Sequence, residues 1–223
     1  MIQLCRTAVA NQGYWLERSL GSLVFHESTA DRSIDYEPFT VPGLLQTRAY
    51  ARRKIARSAG YTPVSVDEAL RIRLERQAIL RRPRPAESEI FVHERALRTE
   101  VGSAAIMHEQ LLHIVLVAAL ANVILRVVPE KAGEEGVFGG PCRLFEFRQN
   151  DPLVYLDGFI AGVFIDDADV VGDHYRYLVP ELRAVALDPE ASRAFVADLA
   201  DEYDRRNVRD DADRRPQTER QVC

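Results

Sequence analysis

The sequence predicts an α+β fold: a helical N-terminal part that packs on a small, mostly antiparallel sheet, followed by C-terminal helices. Apolar residues recur at helical spacing up to Pro83, whereas short runs rich in β-branched and aromatic residues follow it between turn residues. The 223 residues, 47% of them hydrophobic and 28% charged, are enough for one sizeable core. We therefore expect a single domain over residues 1–206, with its helical part at 1–84 and its sheet-containing part at 85–206.

The helical part is predicted from apolar residues at helical spacing. Helices are expected over residues 3–11, 14–33, 44–58 and 65–82. Between the second and the third, the run from Tyr36 to Gly43 must be extended or turned, because its two prolines remove hydrogen-bond donors and disfavour helix just before them. Pro42-Gly43 is predicted to form a tight turn that uses the freedom of glycine at positive φ. Ser65 is a predicted N-cap, with Glu68 in capping-box spacing.

The sheet-containing part alternates short strands with helices. Strands are predicted over residues 89–93, 123–128, 143–148, 153–156 and 162–165. Helices are predicted over residues 94–99, 103–121, 168–186 and 189–206, and Ser103 is the N-cap of the second of these. Residues 207–223 mix opposite charges with almost no apolar side chain, so we expect this tail to be disordered.

Composition excludes several classes of protein. The three cysteines, Cys5, Cys142 and Cys223, are scattered, which argues against a disulfide framework or a thiolate zinc site and is typical of the reducing cytoplasm. The N-terminus lacks the basic and apolar regions of a signal peptide. The most apolar stretch, residues 111–128, is interrupted by polar and charged side chains, so it indicates a buried helix followed by a strand rather than a membrane span. We therefore expect a cytoplasmic protein without a membrane partner.

No metal ion or cofactor is expected. His108, Glu109 and His113 are similar to a zinc protease motif, but that motif needs histidines four apart. Histidines five apart point to different faces of a helix. The sequence also contains no phosphate-binding loop and no Gly-x-Ser-x-Gly nucleophile motif.

Positive charge is concentrated in one segment. From Arg48 to Arg84 there are eleven basic and three acidic residues, which leaves +8, although the whole chain carries −5. Such a segment could contact nucleic-acid phosphates, but it contains few aromatic side chains, and the protein as a whole is acidic. Any affinity for DNA should therefore be nonspecific and should fall steeply with salt.

The most specific stretch of the chain is Tyr36-Glu-Pro-Phe-Thr-Val-Pro-Gly-Leu-Leu-Gln-Thr-Arg-Ala-Tyr-Ala51. It resembles the opening motif of an uncharacterised C-terminal domain of actinobacterial Xre-type helix-turn-helix regulators, which are often described as antitoxin-like. Further stretches match that family, in its order, between residues 14 and 205: Glu27 with Ala30, Arg73-x-x-Arg76-Gln77, His93-Glu94-Arg95-Ala96-Leu97, Val101-Gly102, Met107, Gln110-Leu111, Asn122-Val123, Pro129, Phe145 and Val154-Tyr155-Leu156.

The resemblance implies an effector domain rather than a DNA reader. Members of the family carry a DNA-reading domain of five helices upstream, and this chain is expected to begin where that domain would end. We therefore expect no sequence-specific DNA binding by the chain itself.

Two arginines and two glutamates are the main candidates for a site. On the helix over residues 65–82, Arg73 lies within the apolar arc and Arg76 at its edge, and a guanidinium there needs a carboxylate or an anionic ligand. Glu27 and Glu94 lie among apolar residues and match positions of the family. We expect an enclosed, partly apolar pocket lined by at least two of these four side chains. The alternative is a structural ion pair between an arginine and one of the glutamates, and the two interpretations are not exclusive.

The predicted function is a regulator-type domain that binds a small molecule or a small partner protein. The resemblance adds Tyr36 and Gln46, from the opening motif, to the ligand-binding candidates. The alternative is a cofactor-free biosynthetic enzyme of cyclase or lyase type that evolved from the regulator's ligand pocket, in which Glu94 would act as general acid or base. A dimerising scaffold is a third hypothesis, so a homodimer stays open.

Overall fold

A seven-stranded mixed sheet forms the centre of the structure over the described residues. The computed structural model describes residues 13–17, 21–58, 64–158 and 162–214, and every structural statement below refers to these ranges. The strands are β1 (Tyr14–Glu17), β2 (Arg32–Glu37), β3 (Glu87–His93), β4 (Val123–Val128), β5 (Cys142–Glu146), β6 (Leu153–Leu156) and β7 (Gly162–Ile165). Their order across the sheet is β1-β7-β6-β5-β2-β3-β4; β2, β3 and β4 run parallel, and the other neighbours run antiparallel.

Helices cover both faces of this sheet. The α-helices of the described ranges are α1 (Gly21–Thr29), α2 (Arg48–Ser58), α3 (Val66–Arg76), α4 (Glu94–Arg98), α5 (Ala104–Val117), α6 (Ala168–Val185) and α7 (Pro189–Arg214). Short 3-10 helices occur at Gly43–Leu45, Gln77–Arg81 and Glu130–Gly136.

Each face of the sheet buries its own apolar side chains. On the first face, β3 and β4 pack against α5 and α7, while β5, β6 and β7 pack against α1. On the second face, β2, β3 and β5 pack against α6. Because successive side chains of a strand point to opposite faces, Asp35 and Glu37 of β2 lie on the first face, and Ile34 and Tyr36 lie on the second. β2 therefore presents carboxylates on one side and apolar groups on the other.

The α+β class and most local elements agree with the sequence predictions. β4, β6 and β7 have the predicted bounds, and α4 and α6 end within one residue of theirs. Ser65 and Ser103 cap α3 and α5, accepting hydrogen bonds from the backbone N–H groups of Glu68 (3.2 Å) and Ile106 (3.4 Å). These features depend on residues close in sequence, which is why a local pattern predicts them.

The helix predicted over residues 14–33 is wrong at both ends. β1 occupies its start, β2 begins before its end, and the helical part of the described residues between them is α1. β2 lies in the middle of the sheet, so the predicted division into a helical part at 1–84 and a sheet-containing part at 85–206 does not hold. The polar side chains of β2 are buried against partners that are distant in sequence, so the local pattern carries only a weak strand signal.

Smaller differences concern the ends of helices. The helix predicted over residues 44–58 is divided into the 3-10 helix and α2, and the one predicted over residues 65–82 ends in a second 3-10 helix. α7 continues to Arg214, because charged residues without Gly or Pro extend a helix that packing has already nucleated. Residues 207–214 of the predicted tail are thus helical. Residues 215–223 and the helix predicted over residues 3–11 lie outside the described residues.

Among the described helices, none combines the length and the apolar character needed to cross a membrane.

Candidate functional site

The carboxyl end of β2 lies where the sheet changes from parallel to antiparallel pairing. On one side β2 pairs in parallel with β3. On the other it pairs antiparallel with β5, whose first residue, Cys142, lies opposite Tyr36. Glu37 is the last residue of β2, so it lies at this end of the strand.

Four charged side chains are buried beneath α1 and α3, on the same face of the sheet as Glu37. Each is at most 7% exposed, and together we call them the buried charge cluster: Glu27 of α1, Asp35 of β2, Arg76 of α3 and Arg143 of β5. Arg76 donates two hydrogen bonds to Glu27, from Nε to Oε2 (2.8 Å) and from Nη2 to Oε1 (2.5 Å). Arg143 donates to both Glu27 and Asp35. The two carboxylates and the two guanidinium groups carry equal and opposite charge, so each charge of the cluster is paired within it.

The cluster keeps Glu27 ionised. Burial alone would raise the pKa of Glu27, but the guanidinium groups of Arg143 and Arg76 outweigh burial and hold the pKa below its ordinary value. The same contacts fasten α1 and α3 to the sheet. The structure contains an ion pair between Arg76 and Glu27, which is the structural alternative that the sequence left open for Arg76. This ion pair does not exclude a pocket lined by other members of the predicted set, which stays a prediction.

Arg73 lies one helical turn before Arg76 but has no carboxylate partner in the described ranges. Its Nη1 donates a hydrogen bond to Oε1 of Gln46 (2.9 Å), and its Nε is buried there without a hydrogen bond. The guanidinium also packs on Gly43, where an added Cβ would lie 3.1 Å from Nη1. Burial, reinforced by the neighbouring Arg76, lowers the pKa of Arg73 to about 10. Arg73 is therefore a half-buried, fixed positive charge that no ion pair within these ranges neutralises.

Glu37 is the corresponding unpaired carboxylate. Its side chain is half-buried, and within the part of the chain that the structure describes it has neither a hydrogen bond nor an ion pair. Burial, together with the negative charges of Asp157 and Asp35, raises the pKa of Glu37 to about 8 despite the positive charges of Arg143 and Arg73. A carboxyl group with this pKa exchanges its proton near neutral pH.

Further polar side chains surround Arg73 and Glu37. Lys54 of α2 is half-buried, and burial lowers its pKa; it lies close enough to both residues for their charges to act on it. Asp157, which follows β6, is exposed and accepts a hydrogen bond from Oη of Tyr155 (3.4 Å). Its charge acts on both Glu37 and Arg73. We define the Glu37–Arg73 site by five residues: Glu37, Gln46, Lys54, Arg73 and Asp157.

Two of the predicted site residues lie elsewhere. Tyr36 points to the opposite face of the sheet, where its Oη donates a hydrogen bond to the carbonyl oxygen of Gly136 (3.0 Å). Glu94 forms an ion pair with Arg98 (2.6 Å) and accepts a hydrogen bond from the backbone N–H of Glu130 (2.9 Å). Burial would raise the pKa of Glu94, but these contacts outweigh it and lower the pKa. Glu94 is thus not the partner of the α3 arginines and is poorly suited to act as a general acid at neutral pH. The structure brings the other four candidates together: Glu27, Gln46, Arg73 and Arg76.

Five residues of the site and of the cluster are not predicted from the sequence: Asp35, Glu37, Lys54, Arg143 and Asp157. A weak signal exists for the first two, because Ser33, Asp35 and Glu37 alternate with apolar residues, as on one face of a strand. Arg143 carries no local signal, since its carboxylate partners lie 108 and 116 residues earlier in the chain.

A concave surface lies on α2 and α3, apart from the residues of the Glu37–Arg73 site. It is lined by Arg48, Asp67, Leu70, Arg71, Leu74 and Glu75. Arg71 forms ion pairs with Glu68 and Glu75 of its own helix, so its charge is already balanced. The groove shares no residue with the Glu37–Arg73 site. Within the described ranges, no three His, Cys, Asp or Glu side chains are grouped as metal ligands.

Gly43 offers a test of how Arg73 is held. The predicted positive φ of Gly43 is wrong. A side chain at this position is disfavoured instead by the close approach of Arg73. Gly43→Ala is expected to displace the guanidinium and to lower the free energy of unfolding by about 1 kcal/mol. Gly140→Ala is the control, because a Cβ there meets nothing within 4 Å in the described ranges. Equal stability of the two variants in urea denaturation would contradict this packing.

The sequence matches a family described as "Domain of unknown function (DUF5753)" over residues 20–198, a range that includes every member of the site and of the cluster. No curated protein matches the chain.

Proposed function

The chain belongs to the DUF5753 family of domains of unknown function, and we propose that it is a regulator-type domain that binds a small molecule at the Glu37–Arg73 site. The setting that we propose is transcription regulation, as in the actinobacterial regulators that the sequence resembles. The observation that carries the proposal is that Arg73 and Glu37 have no ion-pair partner among the described residues, next to a cluster whose charges are all paired.

Leaving these two charges unpaired costs stability. A half-buried charge has lost part of its hydration, and without an ion pair it has gained little in return. A structural role would be served better by direct contact, as between Glu27 and Arg76, or by two apolar side chains. A ligand with complementary groups would offset the cost when it binds. Local rules of stability are broken in this way at functional sites.

A small molecule suits the site better than a partner protein. Arg73 and Glu37 are both half-buried, between the sheet and the segment that leads from β2 into α2. A small compound can contact a half-buried group directly, whereas the surface of a protein would have to insert a side chain to do so.

Sequence-specific contact with DNA is not part of the proposal. Several arginines of the basic segment are already bound to carboxylates: Arg52 to Asp67, Arg71 to Glu68 and Glu75, and Arg76 to Glu27. These ion pairs reduce the charge available for phosphate contacts, which are in any case independent of sequence.

A cofactor-free enzyme is the second candidate. In such an enzyme Glu37 is better suited than Glu94 to act as the general acid or base. General acid–base catalysis works best with a pKa near the operating pH, and the pKa of Glu37 is about 8. An enzyme of cyclase or lyase type would therefore use Glu37 to move a proton while Arg73 orients the substrate.

The binding proposal is tested by thermal denaturation in the presence of simple compounds. Glycine, acetate and inorganic phosphate are added at increasing concentration to the wild type and to Arg73→Gln. At least one of them should raise the melting temperature of the wild type, because a ligand that binds only the folded state stabilises it. The effect should be at least tenfold weaker in Arg73→Gln, whose side chain is uncharged.

Arg71→Gln is the matched control, since this arginine lies on the same helix but pairs with Glu68 and Glu75. Its response should equal that of the wild type. Absence of any stabilisation, or an equal response in Arg73→Gln, would refute the proposal.

A further inference from the structure

The two edges of the sheet differ in how their outward backbone groups are used. β4 forms one edge, where the N–H of Val127 donates a hydrogen bond to Oγ of Ser192 (2.9 Å) and its C=O accepts one from the N–H of Leu187 (2.8 Å). β1 forms the other edge and has no neighbour on its outer side among the described strands. Proteins block such edges with prolines, charged side chains or covering segments. The residues at 14–16 include neither a proline nor a charge, so β1 is open to pairing in the described part of the chain.

The backbone groups that point outward from β1 belong to Tyr14 and Leu16. The C=O of Gly13 accepts a hydrogen bond from the N–H of Asp166 (2.9 Å), so it points toward β7. Along an antiparallel strand, the backbone groups of successive residues alternate in direction. Trp15 therefore also faces β7, whereas the N–H and C=O groups of Tyr14 and Leu16 point away from it. No strand of the described ranges takes up these four groups.

The same two residues carry exposed apolar side chains. Tyr14 is 50% exposed and Leu16 is 68% exposed. Both lie on the second face of the sheet, because Trp15 between them points to the first face, where its ring stacks on Phe164 with 5.1 Å between the ring centroids. Open backbone groups and exposed apolar side chains thus coincide at Tyr14 and Leu16, as expected where a further strand pairs with β1.

We infer that β1 pairs antiparallel with β1 of a second copy of this chain, across a twofold axis at Trp15. In this register Tyr14 lies opposite Leu16 of the second copy and exchanges both backbone hydrogen bonds with it, and the symmetric pair does the same. All four outward groups are then used, and each exposed apolar side chain lies beside one from the other copy. A twofold axis at Tyr14 or at Leu16 would leave some of these groups without a partner in β1.

A second copy is the partner that this edge fits, because the pattern of β1 is its own complement. The two outward residues lie symmetrically about Trp15, and the residues at 14–16 offer no charge by which a different protein would be selected. The inference does not depend on the proposed function, since no residue of the Glu37–Arg73 site belongs to β1. Four hydrogen bonds and two apolar contacts make a small interface, so the dimer should dissociate on dilution.

The experiment measures the association of the full chain by analytical ultracentrifugation over a wide range of protein concentration. The wild type should change from monomer to dimer as the concentration rises. Leu16→Asp should weaken association at least tenfold, because it places a charge beside the apolar Tyr14 of the other copy. Leu116→Asp is the matched control: Leu116 is also 68% exposed, but it lies on α5, which packs over β3 and β4 at the opposite side of the sheet. It should associate like the wild type, and the melting temperature of each variant verifies that it folds.

The register is tested by the double variant Tyr14→Lys/Leu16→Asp. With the axis at Trp15, the introduced ammonium of each copy lies opposite the introduced carboxylate of the other, so the double variant should associate more tightly than Leu16→Asp alone.

A double variant that associates no better than Leu16→Asp would overturn the inference. So would a wild type that stays monomeric throughout, or a dimer that Leu16→Asp weakens no more than Leu116→Asp does. A monomer whose Tyr14 and Leu16 amides are protected from hydrogen exchange would show that the edge is occupied within one chain, and it would overturn the inference as well.

Discussion

Replacing Glu27 by glutamine is expected to lower the free energy of unfolding by about 3–5 kcal/mol, as when one partner of a buried ion pair is removed. Glu27 is 3% exposed, and it contacts the guanidinium groups of both Arg76 and Arg143. In Glu27→Gln, Arg143 keeps Asp35 as its partner, whereas Arg76 keeps no ion pair among the described residues. The penalty therefore comes mainly from a buried, uncompensated guanidinium, and urea denaturation at neutral pH measures it.

The control for this variant is Glu75→Gln, which removes an exposed carboxylate that pairs with Arg71. Exposed ion pairs contribute about 0–1 kcal/mol, so this variant should remain close to the wild type. The stability provided by Glu27 should also be lost as the pH falls through its lowered pKa, since the folded state then has to protonate a paired carboxylate. A loss of less than about 1 kcal/mol in Glu27→Gln would contradict the role of Glu27 in fastening α1 to α3.

Replacing Glu37 by glutamine is expected to have the opposite effect and to stabilise the protein at alkaline pH. Burial raises the pKa of Glu37 from 4.5 to about 8. The folded state thus binds this proton more tightly than the unfolded state, and wild-type stability falls as the pH rises between these two values. The full shift corresponds to roughly 5 kcal/mol, and partial exposure of the side chain reduces this to about 2 kcal/mol. Glu37→Gln should therefore be more stable than the wild type by about 2 kcal/mol at a pH of roughly 9.

The pH dependence provides the control for this variant. At a pH of about 4 the carboxyl is mostly protonated in both the folded and the unfolded wild type and resembles the neutral amide, so the two proteins should be nearly equal in stability. The difference between them should open as the pH rises above the unfolded value of 4.5 and should be complete above about 8. Parallel stability curves over the whole range would show that Glu37 is paired in solution. Glu27 and Glu37 should thus affect stability in opposite ways. Glu27 contacts Arg143 directly and stabilises the fold, whereas Glu37 only feels the charge of Arg143 and destabilises the fold when it is ionised.

Much of the local structure is determined by the sequence itself. β4, β6 and β7, as well as the N-caps Ser65 and Ser103, follow from patterns that span only a few residues. The positions of Arg73 and Arg76 relative to the apolar arc of α3 also follow from helical geometry. Helical spacing thus indicates that these arginines need partners, because it places their charges toward the interior.

Only the tertiary structure decided which partners they have. Arg76 takes Glu27, 49 residues away, whereas Arg73 takes the amide of Gln46 and no carboxylate within the described ranges. The sequence predicts the first two residues of β2 as the end of a helix and does not predict the strand, because the polar side chains of β2 become a buried face only when β5 and α1 are in place. Arg143 reaches Glu27 and Asp35 across 116 and 108 residues. A local pattern shows the spacing of apolar residues within one segment. An ion pair between residues so far apart in the chain depends instead on which surfaces folding brings together. For that reason the sequence predicts the need for a charge partner and not whether the protein or a ligand provides it.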